Sequence, residues 1–193
     1  MTVNGQLLLR IMNKKSPKAQ VYLSLGSNVG DRMAYLAMAE EKLSSNPHIK
    51  ILKKSDVYET EPWPLHGVEG APDDIHPVSE EGEFWFLNQV VKIEIDIAPL
   101  ELLDVCKTIE SDIGRSPAHK WGPREIDVDI LLFGDQVVDL PELTIPHHHL
   151  NDRQFVLVPL LEMEPDLKDP VTGKTFKYFL KSIKDSHKVE PYF

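Results

Sequence analysis

Apolar and polar positions change period repeatedly along the 193 residues of this chain. Val21-Tyr22-Leu23-Ser24-Leu25 reads as a short strand, closed by Gly26-Ser27-Asn28-Val29-Gly30. Asp31 suits a helix N-cap, and Met33, Leu36, Ala37 and Leu43 follow at helical spacing until Pro47. Residues 48–58 read as a strand. The next 25 or so lack any period and are rich in Pro, Gly and acids; within them 64–84 reads as an acidic, solvated loop insertion. Residues 86–97 alternate imperfectly, with Leu87, Val90, Ile93 and Ile95 among polar neighbours, as a strand. Pro99 then fits the first turn of a helix with an apolar stripe of Leu102, Cys106, Ile109 and Ile113, and Gly114 fits its C-terminal cap. From Ile126 strict alternation returns, with Ile126, Val128, Ile130 and Leu132 on one face and Asp127 and Asp129 on the other. Gly134-Asp135 turns the chain back through 136–139.

The predicted order is β-α-β-β-α-β, followed by a hairpin strand and a helical C-terminal part. That is an α+β, ferredoxin-like split βαβ arrangement: a single, mostly antiparallel sheet with helices packed on one face. Its first and last strands are neighbours, so the turn Gly26, Ser27, Asn28 is expected beside the Asp127/Asp129 strand. Residues 20–193 are expected to form one domain. Residues 1–19 hold no acid and carry Arg10, Lys14, Lys15 and Lys18; they are expected to be a disordered extension rather than a secretory signal, because the apolar run Leu7–Leu9 is short and ends at Arg10.

Composition narrows the chemistry. A formal net charge of −10 argues against a nucleic-acid partner but leaves room for a small anionic ligand held by a local cation cluster. The one cysteine, Cys106, excludes a disulfide framework and points to a reducing, cytoplasmic compartment. No stretch reaches the ~18 apolar residues of a membrane span.

The alternating strand carries the chemistry. A rise of about 3.3 Å per residue sets Asp127 and Asp129 roughly 7 Å apart on one face. Carboxylates of that reach can converge on magnesium, which takes oxygen ligands and leaves positions for substrate phosphates. A bare Asp-x-Asp is more often solvated; Trp121, the Gly122-Pro123 turn and Arg124 immediately upstream shift the balance. Arg115, Lys120, Arg124 and Arg153 add a sparse set of cations suited to a polyphosphate. Residues 116–122 lie where a lid would close. Two other motifs carry less. Asp169-Pro170-Val171-Thr172-Gly173-Lys174-Thr175 has Lys168 where a P-loop requires glycine and reads as a surface turn. His147-His148-His149 are adjacent, so their side chains diverge and do not suit one metal ion, although one of them, held after Pro146, suits a nucleotide contact.

Gly26-Ser27-Asn28-x-Gly30-Asp31-Arg32, Tyr58-x-Thr60-x-Pro62, Phe86-Leu87-Asn88, Trp121-Gly122-Pro123-Arg124-x-x-Asp127-x-Asp129, Pro146-His147 and Arg153-x-Phe155 together resemble the 6-hydroxymethyl-7,8-dihydropterin pyrophosphokinases, in that family's order, over about residues 20–165. The resemblance implies a ferredoxin-like fold and transfer of the β,γ-diphosphate of ATP to the pterin hydroxymethyl group, releasing AMP, with two magnesium ions, in folate biosynthesis. It implies metal ligation by Asp127 and Asp129, and catalytic roles for these and for Arg115 and Arg124. Pterin contacts are implied for Thr60, Pro62, Trp63, Phe86, Asn88, Trp121, Asp127 and Phe155. Around ATP it implies Lys107, Glu110, Lys120, Trp121, Arg124, Ile130, Thr144, His147, His148 and Arg153. Lys107 stands where Gln is frequent, Phe86 and His148 where some members carry Tyr, and the loop before Phe86 is longer than in compact members. The expected partners are these two small molecules, with no membrane or nucleic acid, and a monomer. A nucleotidyltransferase, which would release pyrophosphate instead of AMP, and a non-catalytic binding module are the competing readings.

Overall fold

The computed structural model describes residues 17–62, 85–115, 123–183 and 187–193. The predicted extension (but for its last three residues), the acidic insertion and the lid lie outside these.

The chain runs β1 (Ala19–Ser27), α1 (Arg32–Ser45), β2 (Ile49–Lys54), β3 (Tyr58–Thr60), β4 (Phe86–Ile95), α2 (Pro99–Ile113), β5 (Asp127–Phe133), β6 (Val138–Leu140), β7 (Leu143–Ile145), a single 3-10 turn (Leu150–Asp152), α3 (Gln154–Met163), α4 (Phe176–Ser182) and β8 (Val189–Pro191). The main sheet is antiparallel in the order β5-β1-β4-β3-β8, with β2 also on β4. β1 is therefore flanked by β4 and β5, as the split βαβ arrangement requires.

Helix ends follow local chemistry. Asp31 caps α1 by accepting from Ala34 N–H at 3.0 Å. Pro99 opens α2, and Gly114 closes it at φ 116°, a left-handed conformation that suits glycine. The predicted α2 stripe of Leu102, Cys106, Ile109 and Ile113 is buried. On α1 the buried residues are Leu36, Ala39 and Leu43. Met33 and Ala37 instead face outward, because the sheet lies under a stripe displaced from the one read in sequence.

Five expectations need correction. Residues 48–58 form two strands: Ser55 interrupts them, its hydroxyl accepting from Val90 N–H and its own N–H donating to Val90 carbonyl, both near 3 Å. The kinked strand thus stays bonded to β4 across the break. Helices cover both faces of the sheet. α1 and α2 pack with Leu23, Leu25, Ile93 and Val128 on one side, while α3 and α4 pack with Tyr22, Val90 and Leu131 on the other. Leu132 leaves the face of Ile126, Val128 and Ile130, because the pairing with β1 skips Leu131 and shifts the alternation by one. The chain does turn at Gly134, at φ 52°, but β6 pairs with β7 in a separate two-stranded sheet instead of returning along β5. The C-terminal part also contributes a strand, β8, alongside its helices. The Asp169–Thr175 motif is the tight turn expected of it, with Gly173 N–H donating to Asp169 carbonyl at 2.8 Å.

Phe176 is completely buried under α3. Phe176→Ala is expected to cost about 3–5 kcal/mol of stability, read as a lowered urea midpoint with an unchanged slope.

Candidate active site

Cross-strand register sets the site. Tyr58 lies opposite Asn88, Asn88 opposite Gly26, and Gly26 opposite Asp127. In the neighbouring rows Thr60 lies opposite Phe86, and Val90 opposite Ser24, which in turn faces Asp129. Directly opposed residues point to the same side of a sheet. One polar platform therefore spans four strands, Thr60 and Asn88 at one end and both aspartates at the other. It belongs to the face that α3 covers, beyond the end of that helix. With strands about 4.8 Å apart, Asn88 and Asp127 are separated by roughly 10 Å.

Gly26 in the middle keeps this platform flat. A Cβ there would lie 2.8 Å from Asn88 Oδ1. The Asn88 amide can consequently lie over the backbone of β1, where its Nδ2 donates to Thr60 Oγ1 at 2.7 Å. Asn28, two residues on, reaches across to the segment leading into β5: Arg124 N–H donates to Asn28 Oδ1 at 2.8 Å, and Asn28 N–H donates to Arg124 carbonyl at 3.2 Å. The Gly-Ser-Asn turn thus fixes the backbone from which Arg124 projects. Phe86 lies under the Arg124 guanidinium, 5.5 Å from its ring centre.

The charges are tightly coupled. Arg124 pairs with Asp127 Oδ2 at 2.7 Å, and Arg115 bridges Asp127 Oδ1 and Glu110 Oε1. Glu110, nearly fully buried on α2, also accepts from Val128 N–H at 2.9 Å, tying α2 to β5. Burial holds the Glu110 carboxyl above its usual range, with Asp127 adding to the effect and Arg115 opposing it. Burial and neighbouring Asp129 raise Asp127 likewise, against Arg124 and Arg115. Arg153, at the start of α3, is close enough to both aspartates for each to favour its charged form.

His147 N–H donates to Leu131 carbonyl at 3.0 Å, which lays the segment after β7 along the outer edge of β5. Burial and Arg153 push the His147 imidazole down to about 3. The ring is therefore neutral at ordinary pH. Its Nδ1 accepts from His149 N–H at 3.2 Å, leaving the proton on Nε2. The expected divergence of the trio is not seen: the His148 ring stacks on that of His147, with centres 4.8 Å apart and planes at 23°, and the His149 ring is tilted by 49° to His147.

Most residues named from the sequence thus surround one platform. Lys107 is exposed one turn before Glu110. Thr144 is exposed on β7, and Ile130 buries its side chain in the core, leaving its backbone for any ligand. Phe155 lies on the first turn of α3, its ring centre 5.6 Å from the Arg153 guanidinium. Pro62 is buried just after β3. Trp63, Lys120 and Trp121 lie outside the described residues. The structural partnership of Glu110 with Val128 and Arg115 was not read from the sequence, although a glutamate beside Ile109 in an apolar stripe is a signal for it. The Asn28–Arg124 clamp joins residues far apart in sequence and leaves no local trace.

Among the described residues no group of three or more His, Cys, Asp or Glu side chains is arranged to hold a metal ion. Two carboxylates are what the protein offers, which fits magnesium, an ion that takes one or two carboxylates and completes its shell with phosphate oxygens and water.

Comparison with known proteins gives a consistent picture. The family model for 7,8-dihydro-6-hydroxymethylpterin-pyrophosphokinase matches residues 22–165. The 2-amino-4-hydroxy-6-hydroxymethyldihydropteridine pyrophosphokinase of Aquifex aeolicus is 42% identical, covering 83% of this chain and 90% of the relative. That of Methylorubrum extorquens is 38% identical, covering 86% and 95%. A Plasmodium falciparum HPPK-DHPS structure with pteroate is similar in fold, with a TM-score of 0.65 at 17% identity over 92% of this chain; the match spans 49% of that solved chain.

Glu110→Ala leaves the buried Val128 N–H without its acceptor and takes from Arg115 one of its two carboxylate partners, and is expected to cost about 2–3 kcal/mol. Glu110→Gln retains an acceptor for Val128 and should cost less. Urea denaturation of the ligand-free protein compares the two.

Proposed function

The chain belongs to the 7,8-dihydro-6-hydroxymethylpterin-pyrophosphokinase family, and we propose that the platform from Thr60 to Asp129 is where it works. The protein is an ATP-dependent pyrophosphokinase that transfers the pyrophosphoryl group to 6-hydroxymethyl-7,8-dihydropterin in folate biosynthesis. The observation that carries the residue assignment is the register: a hydrogen-bonding Thr60–Asn88 pair and a two-carboxylate strand share one face, with glycine between them.

In this reading Asn88 and Thr60 meet the polar edge of the pterin, and Gly26 leaves room for its flat ring. Phe86, Phe155, Pro62, Trp63 and Trp121 contribute apolar and aromatic contacts. Asp127 and Asp129 hold magnesium, for which we propose two ions. Magnesium supplies neutralisation of the phosphoryl oxygens and geometry for displacement at the β-phosphorus. Arg115 and Arg124 already balance Asp127, and with Arg153 and Lys120 they form the cationic wall for the triphosphate. His147 offers an Nε2–H donor, with Lys107, Glu110, Ile130, Thr144 and His148 around the nucleotide. Catalysis by this set is chiefly positioning and charge neutralisation. The chain is proposed to act as a monomer in the cytoplasm, as one domain over 20–193. No helix among the described residues is long and apolar enough to cross a membrane.

Incubation with ATP, magnesium and the hydroxymethyl pterin, followed by nucleotide analysis, should yield AMP; pyrophosphate release would indicate nucleotidyl transfer instead. Asp129→Ala should abolish AMP formation, and near-normal turnover would refute its metal role. Arg124→Ala is expected to lower kcat by about 10²–10³-fold, as loss of one transition-state donor does elsewhere.

A further inference from the structure

We propose that the C-terminal strand β8 is a positioning element for the pterin-facing edge of the sheet. The inference rests on the reading that Thr60 and Asn88 meet the pterin. β3, which carries Thr60, is only three residues long and pairs with β4 on one side. Its other side is completed by β8, with Tyr58 opposite Pro191, Glu59 opposite Glu190 and Thr60 opposite Val189. The family match ends at residue 165, well before this strand.

The ladder has a definite phase. Glu61 N–H donates to Lys188 carbonyl at 3.2 Å, and Tyr192 N–H donates to Val57 carbonyl at 2.8 Å. Hydrogen-bonded and non-bonded pairs alternate in an antiparallel ladder, so Glu59/Glu190 is the bonded pair between them. Thr60/Val189 is a non-bonded pair, the kind in which opposed side chains come closest. Val189, half-buried, therefore packs beside the hydroxyl-bearing side chain that receives the Asn88 amide hydrogen.

The same strand ties both ends of the 63–84 connection. Before it, Glu61 Oε2 accepts from Lys188 N–H at 3.0 Å. After it, the Lys188 ammonium lies 5.8 Å from the Trp85 ring centre. Arg32 reinforces the junction, donating to Trp85 carbonyl at 2.7 Å and pairing with Glu59 at 2.8 Å, with its guanidinium 6.0 Å from the Tyr192 ring. The backbone around Thr60 and Phe86 is thus held by contacts from β8 and α1 that lie off the platform itself. Glu190, opposite Glu59, points to the other face of the sheet, and Val189 borders the platform only beside Thr60, so the effect of β8 is transmitted through Thr60.

The full-length variant Glu190→Pro removes the N–H at the centre of the ladder, whereas Glu190→Ala keeps it. Steady-state kinetics of Glu190→Pro should show KM for the pterin raised by about threefold to tenfold, the worth of one neutral hydrogen bond. KM for ATP and kcat should hold, and Glu190→Ala should match the parent. Parent-like pterin KM in Glu190→Pro overturns the proposal, as does a parallel loss in kcat and both KM values. Asn88→Ala separates the two levels. If Asn88→Ala raises pterin KM while Glu190→Pro does not, only the role of β8 falls. If Asn88→Ala leaves pterin KM unchanged, the assignment of the pterin edge falls and the proposal with it.

Discussion

Two carboxylates buried side by side need cations, and the site is arranged around meeting that need. Asp127 and Glu110 each carry a pKa raised by burial, and Arg115 stands between them. Removing one member of such a set leaves an uncompensated charge in a poorly solvated place, which costs more than the pair contributes when intact. Arg124 shares the load, and its position depends on Asn28 gripping its backbone from the far side of β1. The turn after β1 and the approach to β5 are therefore one unit. Arg115, just past the end of α2, thereby ties Glu110 of that helix to Asp127 of β5.

The second constraint is how α3 shares its face of the sheet. Its C-terminal end is tethered over β2, β3 and β4. Glu162 accepts from Tyr58 hydroxyl at 3.1 Å, Lys53 donates to Met163 carbonyl at 2.7 Å, and Lys92 pairs with Glu164 at 2.6 Å. Its N-terminal end carries Arg153 beside the aspartates, with Phe155 against the Arg153 guanidinium. Half of the face is thereby an apolar core of Tyr22, Val90 and Leu157, and half is left for ligands. The polar residues of β1, β4 and β5 fall where the helix does not reach.

Elements whose period reports a single buried face were legible in the sequence. α2 was read residue for residue because its stripe, its Pro99 start and its Gly114 cap agree. The two aspartates were placed on one face because alternation in β5 is strict as far as Ile130. Leu132 was misplaced because one skipped residue reverses every side chain after it, and a skip has no composition. The break at Ser55 was hidden because a serine hydroxyl substitutes for the missing backbone partner without disturbing the apolar pattern. Strand β8 is three residues long and exists by pairing with a strand far away in sequence, so its own pattern is too short to declare it. The motif residues around the platform were recognisable as types, whereas the contacts that hold them, Asn28 with Arg124 and Glu110 with Val128, become visible only once the strands are aligned.

Strand β8 also decides what the outer margin of the sheet presents to other molecules. On its solvent side the backbone donors would come from Val189 and Pro191, and proline has none. A foreign strand docking there finds half the usual complement of donors. On the opposite margin, His147 already occupies the Leu131 carbonyl of β5. At each of these two margins a foreign strand finds fewer free backbone partners than an open edge would present.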